Sequence, residues 1–233
     1  MRGIALATGL AGLLVAAGCA DAGRPDTQPD AMSAEAHRAE AHREDAEAAR
    51  HLEQYDPTAG VPYGSDPLDD DFDYSYDDGD LYWGIDDYNP TEGHLRRGTE
   101  LERAARQHRE AARVLERFEE AQCKSFPPET RVLCPILGPL EIATDIPGGT
   151  RIRLEKDTDV NATIAHMRCH MAFARARGWK DMETCPLYMK GLKVHRVGRS
   201  RSIDLTVDRP EAVQDLRRRA ARHAITRQPH EAP

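Results

Sequence analysis

Apolar positions follow a helical period through much of the first half of the chain and give way to short β-compatible runs after residue 139. From His94 to Gln122, Leu101, His108 and Leu115 recur every seven residues, as do Ala104, Ala111 and Phe118. That stripe predicts an amphipathic helix. Met32–Tyr55 is rich in Ala, Glu and Arg, and repeats AEAHR at Ala34–Arg38 and Ala39–Arg43. Its helix propensity is strong, but its apolar face is mostly Ala and buries little area. His42–Glu53 loosely matches His108–Glu119. The two helices are therefore expected to form an αα-hairpin with an oversized loop between them. Coiled-coil self-association is the alternative, disfavoured by the scarcity of Leu heptads.

Cys123–Pro139 holds Pro127-Pro128, Cys134-Pro135 and Gly138-Pro139 and predicts an irregular connection. Leu140–Ile146 and Thr150–Glu155 flank the turn residues Pro147-Gly148-Gly149 and read as a β-hairpin. Val160–Arg177 reads as a helix, with Thr158, Asp159 and Asn161 as capping oxygens and Gly178 at its end. Ala162, Ala165, Cys169, Ala172, Phe173 and Ala176 share one of its faces, and Arg168 and Arg175 another. Cys185–Val197 and Ser202–Val207 read as two further strands, and Arg209 to about Ile225 as a last helix, with Asp208 as cap and Glu211 at N3. The order implies an α+β fold: long N-terminal helices, then a small ββαββα domain with helices on one face of a mainly antiparallel sheet.

Composition divides the chain sharply. Residues 56–93 carry eleven Asp, one Glu and no Lys or Arg, together with seven of the thirteen aromatic residues. With four prolines as well, this acidic aromatic insert is expected to be disordered. No EF-hand fits, because Tyr74 stands where that pattern needs Asp. From His94 to Pro233, 27 Lys/Arg stand against 19 Asp/Glu, a net +8, so the overall −8 conceals a basic domain. Opposite blocks on one chain attract at low salt and are screened across a Debye length of ~10 Å at 0.1 M. A basic patch is expected from Arg196, Arg199 and Arg201 near one hairpin and Arg217, Arg218 and Arg219 on the last helix. Its partner would be an envelope protein or an anionic polymer.

The N-terminus carries a targeting signal. Arg2 precedes an apolar run from Ile4 to Ala17, and Val15-Ala16-Ala17-Gly18-Cys19 follows the order of small residues, Gly and Cys. The run is short against the ~20 residues of a membrane span. This segment resembles the type II signal and lipobox of bacterial lipoproteins, departing from the usual pattern in having Ala16 where Leu is common. The resemblance implies acylation of Cys19, a palmitate-bearing membrane anchor and an envelope location. Ala20 after the cysteine resembles an outer-membrane-directed signal, facing the periplasm. The layout is then a signal at 1–18, a linker at 19–31 after acylated Cys19, a helix at 32–55, the insert at 56–93, a helix at 94–122, the α+β domain at 123–226 and a tail at 227–233.

Processing would leave Cys123, Cys134, Cys169 and Cys185. An even number in an oxidising compartment implies two disulfides, with three possible connectivities. Cys123–Cys134 with Cys169–Cys185 is the local choice, and a link from the second helix or its following loop to Cys169 or Cys185 is equally legal. The competing chemistry is a soft-metal site for copper or zinc from His166, Cys169 and His170, with Met167 and Met171 as thioethers. No HExxH, GxSxG, P-loop or Rossmann pattern occurs, and no haem-attachment motif is complete. Export also disfavours nucleic acid as a partner. The sequence therefore reads as a membrane-anchored envelope lipoprotein, a structural or binding module without a catalytic site or cofactor. The alternative is a periplasmic copper- or zinc-binding protein.

Overall fold

The computed structural model describes residues 24–59 and 89–225, with the Ile225 side chain left out. The expected signal, Cys19 with its expected acylation, most of the acidic insert and the tail lie outside the described residues. Helix α1 (Ala34–Glu53) and helix α2 (Glu92–Cys123) pack side by side as the expected αα-hairpin. Ser33 starts α1, its hydroxyl accepting from the Ala36 amide. The seam is built largely from Ala41 and Ala48 against Leu101, Ala104, Ala105 and Ala111, all buried. Small residues let the helix axes approach closely, and Gly98 adds to this. A Cβ there would meet Leu52 at 2.8 Å.

The segment expected to be a linker is partly structured. Pro25–Thr27 and Pro29–Ala31 each make one 3-10 turn, each beginning with a proline that fixes φ. Asp30 then pairs with Arg175 at 2.7 Å, its backbone carbonyl accepts from Lys190, and Arg24 reaches Glu44. These polar contacts dock residues whose composition alone reads as solvated.

The head domain forms one antiparallel sheet in the order β1-β2-β4-β3, from β1 (Leu140–Ile146), β2 (Gly149–Leu154), β3 (Leu192–Arg196) and β4 (Ser202–Val207). Ile152 and Leu154 of β2, with Ile203, Leu205 and Val207 of β4, point to one face. Helix α4 (Val160–Ala176) and helix α5 (Pro210–Ile225) cover that face, contributing Ile164, Met167 and Leu216 to the core. Arg151, Arg153 and Asp204 lie on the open face, where Arg151 pairs with Asp204 and Arg153 with Glu141. This is the α+β arrangement with helices on one side of the sheet. A four-residue helix α3 (Pro128–Arg131) lies in the connection between α2 and β1.

Two local readings differ from what is observed. Strand β3 begins at Leu192 rather than Cys185. Pro186 has no N–H to give a ladder, and the Cys185 and Tyr188 carbonyls face Arg219 on α5 instead. On α4, Ala162 and Ala165 are exposed, while Val160, Ile164, Met167 and Ala174 are buried. The helix lies between α2 and the sheet core, so it is buried on two sides rather than along one stripe.

Candidate functional site

One disulfide joins the hairpin to the head. Cys123, the last residue of α2, bonds Cys169 in the middle of α4, and both are fully buried. This is the long-range link, not the local pairing. Cys134 and Cys185 are free thiols, with their sulfur atoms 3.1 Å apart. Of the two disulfides expected, the structure holds one, and Cys134 and Cys185 stand as an apposed, unbonded pair.

With its sulfur in a disulfide, Cys169 has no thiolate to offer a metal. Met167 is buried in the core, and Met171 lines a separate surface cleft with Trp179. His166 donates from Nε2 to the Thr130 carbonyl at 3.0 Å and stacks on Phe126. Of the residues expected on α4, His170 alone reaches free sulfur. Its Nδ1 donates to the Arg131 carbonyl at 2.8 Å, and its Nε2 lies 3.4 Å from the Cys185 sulfur. Helix α3 therefore supplies the carbonyls that hold both imidazoles of α4. The Arg131 carbonyl at the end of the short helix accepts the His170 ring N–H, and the Thr130 carbonyl takes that of His166 in addition to the Leu133 amide.

A second imidazole lies beside the cluster, next to Cys134. His223, near the end of α5, donates from Nδ1 to the Arg219 carbonyl at 3.1 Å and hydrogen-bonds Cys134 through its other edge. Cys134, His170 and Cys185 place their ligand atoms within 4.8 Å of one another. Both rings have Nδ1 committed to a backbone carbonyl, which leaves Nε2 for the sulfur pair. Such outer hydrogen bonds fix the tautomer in metal-binding histidines.

The protons in this cluster are too few for its acceptors. Cys185 has one S–H, which faces both the Cys134 sulfur and the His170 lone pair. Its hydrogen bond, with help from His223, pulls the Cys134 thiol down to about 4 against the opposing effect of burial. The same hydrogen bond, with burial, pushes the Cys185 thiol upward. Burial holds His170 below its ordinary value, so it is neutral, while the hydrogen bond to Cys134 raises His223. Two unbonded sulfurs and a bare imidazole nitrogen thus converge, with Cys134 the more acidic of the two thiols. Cys134 is half-buried beside an open apolar cavity of about 580 Å³, lined by Val132, Leu133, Leu137 and Met182. Leu133 and Leu137 are each 58% exposed, which makes this mouth unusually apolar.

The arginine triplets do not form one patch. Arg217 donates to the Ile146 and Gly149 carbonyls at the β1–β2 turn. Arg201 donates to the Leu154 carbonyl, at the opposite end of β2. Arg218 and Arg219 both pair with Asp215, and Arg196 donates to Asn161. Arg199 is exposed in the β3–β4 loop.

Sequence reasoning placed His170 in a site with Cys185 as a possible further ligand, left Cys134 as a disulfide partner only, and missed His223. The available signal was compositional: two cysteines, each followed by proline, and a histidine on the inward side of the last helix. Comparison with protein-family models, curated proteins and solved structures gives no match.

Proposed function

We propose that this chain is a lipid-anchored envelope protein whose head binds a soft metal ion, copper(I) or zinc, through Cys134, Cys185, His170 and His223. The anchor rests on the lipobox-like segment ending at Cys19. The metal reading rests on one observation: His170, fixed at Nδ1 by a backbone carbonyl, turns Nε2 toward an unbonded sulfur pair, and it places a ligand atom within 4.8 Å of those of Cys134 and Cys185, with His223 beside Cys134 as the candidate fourth ligand. Two thiolates and two imidazoles suit zinc in a tetrahedron, and sulfur-rich sets also take copper(I). At a Zn–S distance of ≈ 2.3 Å, tetrahedral thiolates stand roughly 3.8 Å apart, so the sulfurs would open by about 0.7 Å on loading. Cys134 lies on the irregular connection beside the cavity, where such a shift disturbs no helix or strand. This reading is a binding function, with Cys123–Cys169 as the structural staple and no catalytic step.

The test is native mass spectrometry of the exported chain, alkylated without prior reduction. The expected result is two reactive thiols in the metal-free protein, both protected by one equivalent of zinc or copper(I). Cys134→Ser and His170→Ala should each weaken that binding, while Cys19→Ala should release the protein from the membrane with its metal retained. A metal-free chain without reactive thiols, lighter by the hydrogens of two disulfides, would refute the metal reading and make the sulfur pair a second staple.

A further inference from the structure

The hairpin contains a second cluster of ligating groups, remote in sequence from the thiols and built only from nitrogen and oxygen. His37 and Glu44 of α1 and His108 of α2 are fully buried, in a seam otherwise made of Ala and Leu. The His37 and His108 Nδ1 atoms are 2.8 Å apart. His37 Nε2 lies 3.4 Å from the Pro29 carbonyl. Glu44 Oε1 accepts from Arg24 at 3.0 Å. Two atoms are left over. His108 Nε2 and Glu44 Oε2 are 3.7 Å apart, buried, and without a hydrogen-bond partner.

The tautomers follow from the acceptors. A carbonyl only accepts, so His37 carries its proton on Nε2, and its Nδ1 is a lone pair. His108 must then donate from Nδ1, because the contact between the rings needs one proton. Neutral His108 is left with a bare lone pair on Nε2, pointing toward a carboxylate oxygen. Two buried electron-rich atoms facing each other are costly unless something positive lies between them.

We propose that this pair, with the Glu40 carboxylate, is a binding site for a borderline divalent cation such as zinc, cobalt(II) or nickel(II). Glu40 is one helical turn before Glu44, and one carboxylate oxygen from each of them and a His108 ring nitrogen lie within 4.8 Å of one another. Two ligands at about 2.1 Å from a tetrahedral ion stand roughly 3.4 Å apart, close to the observed 3.7 Å. The supports around the site match what metal ligands require. His37 fixes His108 through Nδ1, Pro29 fixes His37, and Arg24 holds the other oxygen of Glu44. Glu40 is at present paired with Arg43, which also reaches Glu47 and can stay on that partner when Glu40 turns inward. No thiol takes part, so the site selects by nitrogen and oxygen donors and not by softness.

This inference is independent of the thiol site, and cobalt(II) absorption separates the two. The probe is cobalt(II) added to the full chain in detergent, with and without Cys134→Ser/Cys185→Ser. The expected result is that the serine variant still takes up one equivalent, with visible ligand-field bands and no near-ultraviolet thiolate-to-cobalt band. On that background, Glu44→Gln and His108→Asn should abolish uptake, and His37→Asn should weaken it by about tenfold, as for a group that orients a ligand. Long-range proton–nitrogen NMR with zinc needs no change to the hairpin, and should move His108 Nε2 but not His37 Nε2. Failure of the serine variant to take up cobalt, or a zinc-insensitive His108 Nε2, would overturn the site and leave the gap to a proton.

Discussion

The Cys123–Cys169 bond offers the most direct check on how the two halves of the molecule are held together. It closes a loop of 46 residues between the end of α2 and the middle of α4. In the chain-entropy account, a loop of that length stabilises the folded state by about 4 kcal/mol, by restricting the unfolded ensemble. Both sulfurs are fully buried, so the perturbation should be Cys123→Ala/Cys169→Ala and not serine, which would bury two hydroxyls. For a chain of this size, 1 kcal/mol moves the thermal midpoint by about 2–4 °C, so a fall of roughly 8–16 °C is expected. The assay is thermal unfolding followed by far-ultraviolet circular dichroism at matched pH, without reductant. Full reduction of the native protein should reproduce the variant's midpoint. A midpoint lowered by less than about 2 °C would refute the reasoning. It would mean that Ala112, Leu115 and Ala176, packed at the same junction, hold α2 against α4 without help.

Two further outcomes follow from the sheet. Gly149→Ala should lower stability by several kcal/mol, or prevent folding, because its Cβ would lie 1.9 Å from the Leu205 carbonyl oxygen; a denaturant midpoint equal to that of the parent would contradict the close β2–β4 approach. The Arg151 guanidinium beside Asp204 holds its carboxyl below the ordinary 3.8. That contribution is present above pH 3.8 and is lost as pH falls through the lower folded value, so Asp204→Asn should flatten stability in that acid range. For a largely exposed pair the effect is under ~1 kcal/mol, and an unchanged acid profile in the variant would remove it.

Much of the fold was legible because its local signals agree. Pro147-Gly148 supplies the turn with Gly148 at positive φ, and Ile203, Leu205 and Val207 alternate as a half-buried strand must. The seven-residue spacing of Leu101, His108 and Leu115 marked the buried stripe of α2. The sites were less legible, because their members come from separate elements. Cys134 and Cys185 are 51 residues apart, and nothing in four cysteines distinguishes one connectivity from another. The hairpin cluster left a trace that went unread. His37, Ala41, Glu44 and Ala48 share the buried face of α1, so two polar residues sit where the pattern asks for apolar ones. Polar side chains on a buried stripe signal a partner across the interface, and here that partner was the histidine counted as part of the apolar repeat.

The docked turns at Pro25–Ala31 set a leash. If Cys19 carries the anchor, Arg24 is only five residue steps away, a reach of at most ~18 Å when fully extended. The head is then moored within a protein radius of the bilayer rather than free to sample the periplasm. Ala34 and Ala176 pack together at that moored end, while the hairpin rises as a mast of 20 residues in α1, roughly 30 Å tall. Ala59 and Asn89, the described residues on either side of the acidic stretch, lie at the mast's far tip. With such an anchor, the end of the hairpin that meets the head would be held low, and its far tip, where Ala59 and Asn89 stand, would be the part free to reach outward.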